Sequence, residues 1–215
     1  MPMLALLVAS NACAAALPQD CGQLIVGIAP DWNSMRGRLY LLEKSGAQWR
    51  RQAGPVPALF GKNGLAWGSG VAGQDEQGLH KRERDGRAPA GIFRIGKIYT
   101  YDSSLPPGAD YPFHQVSDAD IWSDDPRSPN YNRHVIIDPR DPPVPGAGSA
   151  IFFHIRRGVN RPTTGCTTMA EQDLIQMIKW LRASKNPSYA LLTAHDYSTK
   201  WQEWNLPPPD LVGVP

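Results

Sequence analysis

Prolines and glycines cut this chain into short pieces, and that more than anything limits what it can fold into. There are 21 Pro and 20 Gly in 215 residues, spread so that few apolar runs are long enough for a helix. Such punctuation calls for many turns between short strands. Gln23–Ile28, QLIVGI, is a β-branched run that reads as a strand. Gly37–Lys44 and Gln48–Gln52 flank Ser45-Gly46 and read as a β-hairpin. Val56–Phe60 is a further strand candidate, and residues 61–88 read as loop. Gly91–Tyr101, GIFRIGKIYTY, alternates over its whole length and predicts one long strand. His134–Asp138, Ala150–His154 and Tyr189–Thr193 add three more.

Only one segment has a clear helical period. Leu174, Ile175, Ile178 and Leu181 share a face, Thr168 and Glu171 have capping-box spacing, and Asn186-Pro187 supplies a stop. The expectation is a helix starting near Met169. Tyr197–Trp204 reads as a second, short helix, and Pro207-Pro208-Pro209 as the end of order. Residues 102–149 are rich in proline, and a loop region this long in a compact domain is usually functional or mobile; they read as a lid or wall beside the site, with a plain surface insertion as the alternative. There is no internal repeat and no linker. The expected organisation is one domain over 17–215, with its core over about 24–193 and a C-terminal tail over 194–215.

Charge and the N-terminus limit the function classes. Lys+Arg 22 against Asp+Glu 20 gives a net charge of +2 without a basic block, so nucleic acid is not a predicted partner. Residues 1–16 carry an apolar run followed by Ala14-Ala15-Ala16 and read as a signal peptide cleaved before Leu17. The run is too short to span a bilayer. A lipoprotein reading at Cys13 meets Ser10 where a lipobox has Leu. The expectation is export to the periplasm or cell envelope, with no stable membrane span.

The chemistry concentrates in His154–Met169, HIRRGVNRPTTGCTTM. A thiol attacks well only when its pKa is lowered or a base takes its proton. Cys166 stands before the expected helix, whose N-terminus favours a thiolate. His154 closes an apolar strand, and the loop between is long enough to fold Cys166 back to it. The N–H groups of Thr164, Gly165 and Cys166 are then candidate oxyanion donors. The pattern points to acyl transfer through a thioester. A Cys21–Cys166 disulfide is the structural alternative for both cysteines. His80, His114, His134 and His195 have no metal-ligand spacing, and Asp118/Asp120 and Asp124-Asp125 read as solvated loop acids, so no metal site is predicted.

PTTGCTTM resembles the Ser/Thr-x-Gly-Cys signature of the L,D-transpeptidase family (YkuD-type catalytic domain), with Thr163 in the Ser/Thr place. FFHI at 152–155 is similar to the family's His strand. Asp85 to Phe93, DGRAPAGIF, is similar to its Gly-Asp segment followed by Pro-x-Gly-x-Phe. The resemblance covers about residues 24–193. It implies a mostly β fold, a β-sandwich of mixed strands with one main helix after Cys166, and a reaction that needs no metal or organic cofactor. It implies peptidoglycan stem peptides as substrate and acylation of Cys166 by carbapenems. Cys166 would attack the carbonyl preceding a D-amino acid, expel that residue, and pass the acyl group to an amine. His154 would be the base, oriented by the carbonyl of Ile155. The family usually has Arg or Asn two residues after the Cys, where this chain has Thr168. Thr163, Thr168, Arg156 and Arg161 are the candidate substrate contacts, with Arg157 beside them. Two rival readings remain. One passes the acyl group to water, as an L,D-carboxypeptidase or amidase. The other is a non-catalytic wall-binding module using Trp32, Trp49, Trp67 and Trp122.

Overall fold

The computed structural model describes residues 16–116, 136–137, 144–148 and 151–215. The signal segment with Cys13, most of the expected 102–149 wall, His134, Trp122 and the Asp118/Asp120 and Asp124/Asp125 pairs lie outside the described residues. The strands are β1 (Gln23–Ala29), β2 (Arg36–Ser45), β3 (Gln48–Leu59), β4 (Leu65–Trp67), β5 (Ala88–Arg94), β6 (Ile98–Thr100), β7 (Phe113–Gln115), β8 (Ile136–Ile137), β9 (Phe153–Ile155), β10 (Thr167–Met169) and β11 (Ser188–Thr193). Two α-helices, α1 (Glu171–Trp180) and α2 (Ala194–Lys200), accompany them.

All eleven strands join in one mixed sheet of order β4-β5-β11-β1-β2-β3-β10-β9-β8-β6-β7. The sheet curls until distant strands face each other. Phe153 of β9 meets Tyr189 of β11 edge-on at 4.5 Å between centroids. The Thr167 hydroxyl of β10 lies 3.0 Å from the Tyr189 hydroxyl. The fold is therefore mostly β, and its two layers are the two halves of a single curled sheet. β1 is buried at every residue, as a central strand covered on both faces must be; α2 packs over its outer side and over β11.

Local chemistry explains where the strands differ from expectation. Val56–Phe60 is not a separate strand, because β3 runs on through Pro55 and Pro57. Two prolines fit there since β3 meets β10 only at Leu59, which leaves most of its outer edge without a ladder to break. The long alternating run breaks in two. β5 pairs with β11, whereas β6 pairs with β8 and β7. Alternation reports one buried face and does not say that the chain keeps one neighbour. The loop assigned to 61–88 contains β4, a three-residue strand parallel to β5.

The capping-box expectation is corrected. Thr168 lies inside β10, its hydroxyl donates to the Leu59 carbonyl at 3.4 Å, and the N-cap of α1 is Ala170 with no side-chain cap. α1 buries Leu174, Met177 and Ile178, and ends at Trp180, before Asn186-Pro187. The C-terminal segment is also corrected. Order continues beyond the three prolines, since Tyr197 donates to Pro207 O at 2.9 Å and Arg51 Nε to Leu211 O at 2.7 Å. Trp204, Leu206, Val212 and Val214 belong to the core.

Candidate active site

β9 and β10 are parallel neighbours, with Thr167 opposite Phe153, Thr168 opposite His154 and Met169 opposite Ile155. Thr167 N–H donates to Phe152 O at 2.9 Å and Arg156 N–H to Met169 O at 2.8 Å, so the pairing is held at both ends. Continued one residue back, this register sets Cys166 opposite Phe152. Side chains alternate along a strand, so Phe152, His154 and Cys166 share one face and Phe153 points the other way into the core. His154 and Cys166 are diagonal neighbours across two strands.

His154 Nδ1 lies 2.9 Å from Ile155 O. A carbonyl only accepts, so Nδ1 carries the proton and Nε2 is the basic nitrogen. Burial pushes the imidazole down to about 4; the bond to Ile155 O opposes this and the Arg157 charge reinforces it. Burial pushes the Cys166 thiol up to about 11. A hydrogen bond from the Phe152 main chain and the charges of Arg157 and Lys81 pull it the other way. The resting pair at neutral pH is thus thiol and neutral imidazole. β10 and Ala170 separate Cys166 from α1, so Cys166 does not stand at the helix N-terminus. The groups that favour the anion at the sulfur are the Phe152 main chain and the Arg157 and Lys81 side chains.

The loop before Cys166 is closed by its own side chain. Thr163 Oγ1 donates to Cys166 O at 2.6 Å and accepts from Gly165 N–H at 3.0 Å. Thr163 N–H reaches Phe60 O, and its carbonyl accepts from Lys62 N–H. The loop is thereby stitched to the chain just after β3. Gly165 has φ +152°, and a Cβ there would stand 2.8 Å from Ile151 Cδ1 and 3.0 Å from Arg87 O. Only glycine fits. Arg87 belongs to the DGRAPAGIF segment, so the two signature segments touch at this point. Asp85 organises that segment by accepting from Arg82 N–H at 2.8 Å and Arg87 N–H at 2.9 Å. Burial opposes its ionisation, but these donors and Lys81 outweigh that and hold its carboxyl below the usual range.

Residues 33–190 match the family model of the YkuD L,D-transpeptidase catalytic domain. The chain belongs to the YkuD family. Among solved structures it is similar to the helical cell shape determining protein Pgp2 from Campylobacter jejuni, at 12% identity and a TM-score of 0.41. The likeness covers 80% of this chain and 48% of that one, so the chain spans about half of that protein. No curated protein sequence matches it.

Several expected site residues sit differently in this YkuD domain. Thr168 is 1% exposed and engaged with Leu59, so it offers nothing to a ligand at the surface. Thr163 uses its hydroxyl inside the loop. Gly165 N–H is taken by that hydroxyl, which removes it from the candidate oxyanion donors; Thr164 forms the exposed crest. Arg156 is half-buried, whereas Arg157 and Arg161 are exposed. Cys21 and Cys166 are both free thiols, and Cys21 donates to Gln23 O at 3.1 Å. Trp67 is buried and packs edge-on against Trp32 at 4.6 Å, while Trp49 is packed against the core, so these three form no exposed row. Lys81 was missed by sequence reasoning. Its signal was a Lys four residues before Asp85, in a run that reads as a charged loop.

Among the described residues no group of three His, Cys, Asp or Glu is close enough to hold a metal, and no helix is long and apolar enough to cross a membrane.

Proposed function

We propose that the protein is a peptidoglycan L,D-transpeptidase of the cell envelope, exported by way of residues 1–16. The observation that carries this reading is the pairing of His154, its Nδ1 held by Ile155 O, with Cys166 on the same face of two parallel strands in a YkuD domain. His154 Nε2 takes the thiol proton as Cys166 Sγ adds to the stem-peptide carbonyl that precedes a D-amino acid. The oxyanion is received by the Thr164 main-chain N–H. Collapse breaks the amide bond. The D-amino acid leaves as an amine carrying the proton returned by His154, and a thioester remains on Cys166. An acceptor amine then attacks the thioester and gives its proton to His154. The sulfur leaves and is reprotonated. Arg156, Arg157 and Arg161 draw the carboxylates of the stem to this mouth.

One observation favours a second reading. The residue two after Cys166 is buried and engaged with the main chain, so the acceptor side lacks the Arg or Asn that the family resemblance leads one to expect. Water would then take the acyl group, as in an L,D-carboxypeptidase. Incubation with tetrapeptide muropeptides decides between the two. Cross-linked dimers are expected from the wild type and tripeptides alone from a hydrolase. Cys166→Ala should yield neither, and unchanged products from that variant would refute both readings.

A further inference from the structure

Lys81 is the one buried cation beside the Cys166 loop among the described residues. Its side chain is 2% exposed. Its main chain is pinned to β4, the N–H donating to Trp67 O at 2.7 Å. Its Nζ donates to Asp85 Oδ1 at 2.5 Å and to Arg82 O at 2.7 Å. An ammonium has three N–H donors; among the described residues these two acceptors leave one over. The chain around it is shaped by missing side chains. A Cβ on Gly165 would lie 3.7 Å from Lys81 Cε, and one on Gly148 would lie 2.9 Å from Cε and 3.3 Å from Nζ. The end of Lys81 therefore sits between Gly148 and Gly165, directly behind the residue that precedes the nucleophile.

A buried ammonium is expensive to desolvate, and an apolar side chain of similar volume would close the same space at less cost. The position is therefore informative. Arg157 pulls the Cys166 thiol the same way and more strongly, but it is exposed to salt and solvent, whereas Lys81 is buried and fixed behind the Cys166 loop. The charge of Lys81 acts on Cys166 in the direction that favours the anion.

We propose that Lys81 is a positioning residue of the transfer reaction, whose ammonium, held by Asp85 behind the Cys166 loop, supplies a fixed positive charge for the sulfur anion. That anion forms when the thiol loses its proton and again when the thioester breaks. This rests on the reading of Cys166 as nucleophile, but its test needs no substrate.

The test is the pH profile of alkylation by iodoacetamide, followed at the Cys166 peptide by mass spectrometry, in wild type, Lys81→Met, Lys81→Arg and Asp85→Asn. Losing the positive charge raises the thiol pKa. Lys81→Met should slow alkylation at neutral pH by on the order of tenfold and move its rise to higher pH. Asp85→Asn keeps an acceptor and removes the competing negative charge, so it should quicken alkylation and move the rise to lower pH. Lys81→Arg should stay near wild type. Opposite shifts are the signature of charge. A purely structural ion pair would lower the melting temperature in both variants and leave the profile at Cys166 in place, or shift it the same way in both, and either result overturns the proposal. Should Lys81→Met not fold, Asp85→Asn and Lys81→Arg still decide the matter. Shifted profiles with inert muropeptides would instead refute the transferase reading and leave standing only the action of the Lys81 charge on the Cys166 sulfur.

Discussion

At Thr163 one hydroxyl meets three main-chain groups, with Phe60 O at 3.3 Å beside Cys166 O and Gly165 N–H, and this accounts physically for the Ser/Thr-x-Gly-Cys pattern. Its proton goes to Cys166 O and its lone pair receives Gly165 N–H. The residue thus shapes the turn that presents the sulfur. Thr163→Val keeps the shape and removes these hydroxyl bonds from a half-buried loop. We expect a loss of about 1–2 kcal/mol in urea denaturation and a larger fall in acyl transfer than in substrate affinity, with Thr163→Ser close to wild type. Equal stability and activity in the Val variant would remove this role. The Cys166/His154 pairing was legible in the sequence because a Gly-Cys turn and a strand-ending His are local signals. The source of charge on the sulfur was not. A Lys and an Asp in a charged loop look solvated until the fold brings Gly165 and Gly148 against them.

At the level of elements, periodicity located the pieces and misjudged how they join. The Thr168–Glu171 spacing suited a capping box, but the chain entering α1 is still paired with β9 and β3, so the strand hydrogen bonds decide the conformation of Thr168. GIFRIGKIYTY alternates throughout, yet its halves serve different partners because the sheet curls between them. The C-terminal segment was the larger misreading. α2 has already ended at Lys200, and the last of the three prolines opens a short 3-10 turn over Pro209–Val212, while the apolar residues around them close the core. Trp204 is 2% exposed, its carbonyl receives Leu17 N–H at 2.8 Å, and its ring packs edge-on to Trp67. Trp204→Ala should cost about 3–5 kcal/mol in chemical denaturation. A change below 1 kcal/mol would show that this segment is not part of the folding unit.

The whole molecule is one curled sheet that brings a thiol and an imidazole from neighbouring strands to one face and backs them with a buried lysine. The mostly β class and the family followed from short runs and three motifs in order. The curl did not, because it depends on contacts such as Phe153 with Tyr189 that join residues far apart in the chain. The same burial that orders the site keeps Cys166 protonated and His154 neutral at rest, so attack requires proton transfer in place of a standing ion pair. The central claim is that Cys166 is the atom acylated. Its most direct test is intact-protein and peptide mass spectrometry after incubation with a carbapenem, in wild type and Cys166→Ala. The account predicts a single added β-lactam on the wild-type peptide that contains Cys166 and none on the variant. A folded wild type that stays unmodified, or an adduct that persists in Cys166→Ala, would contradict it.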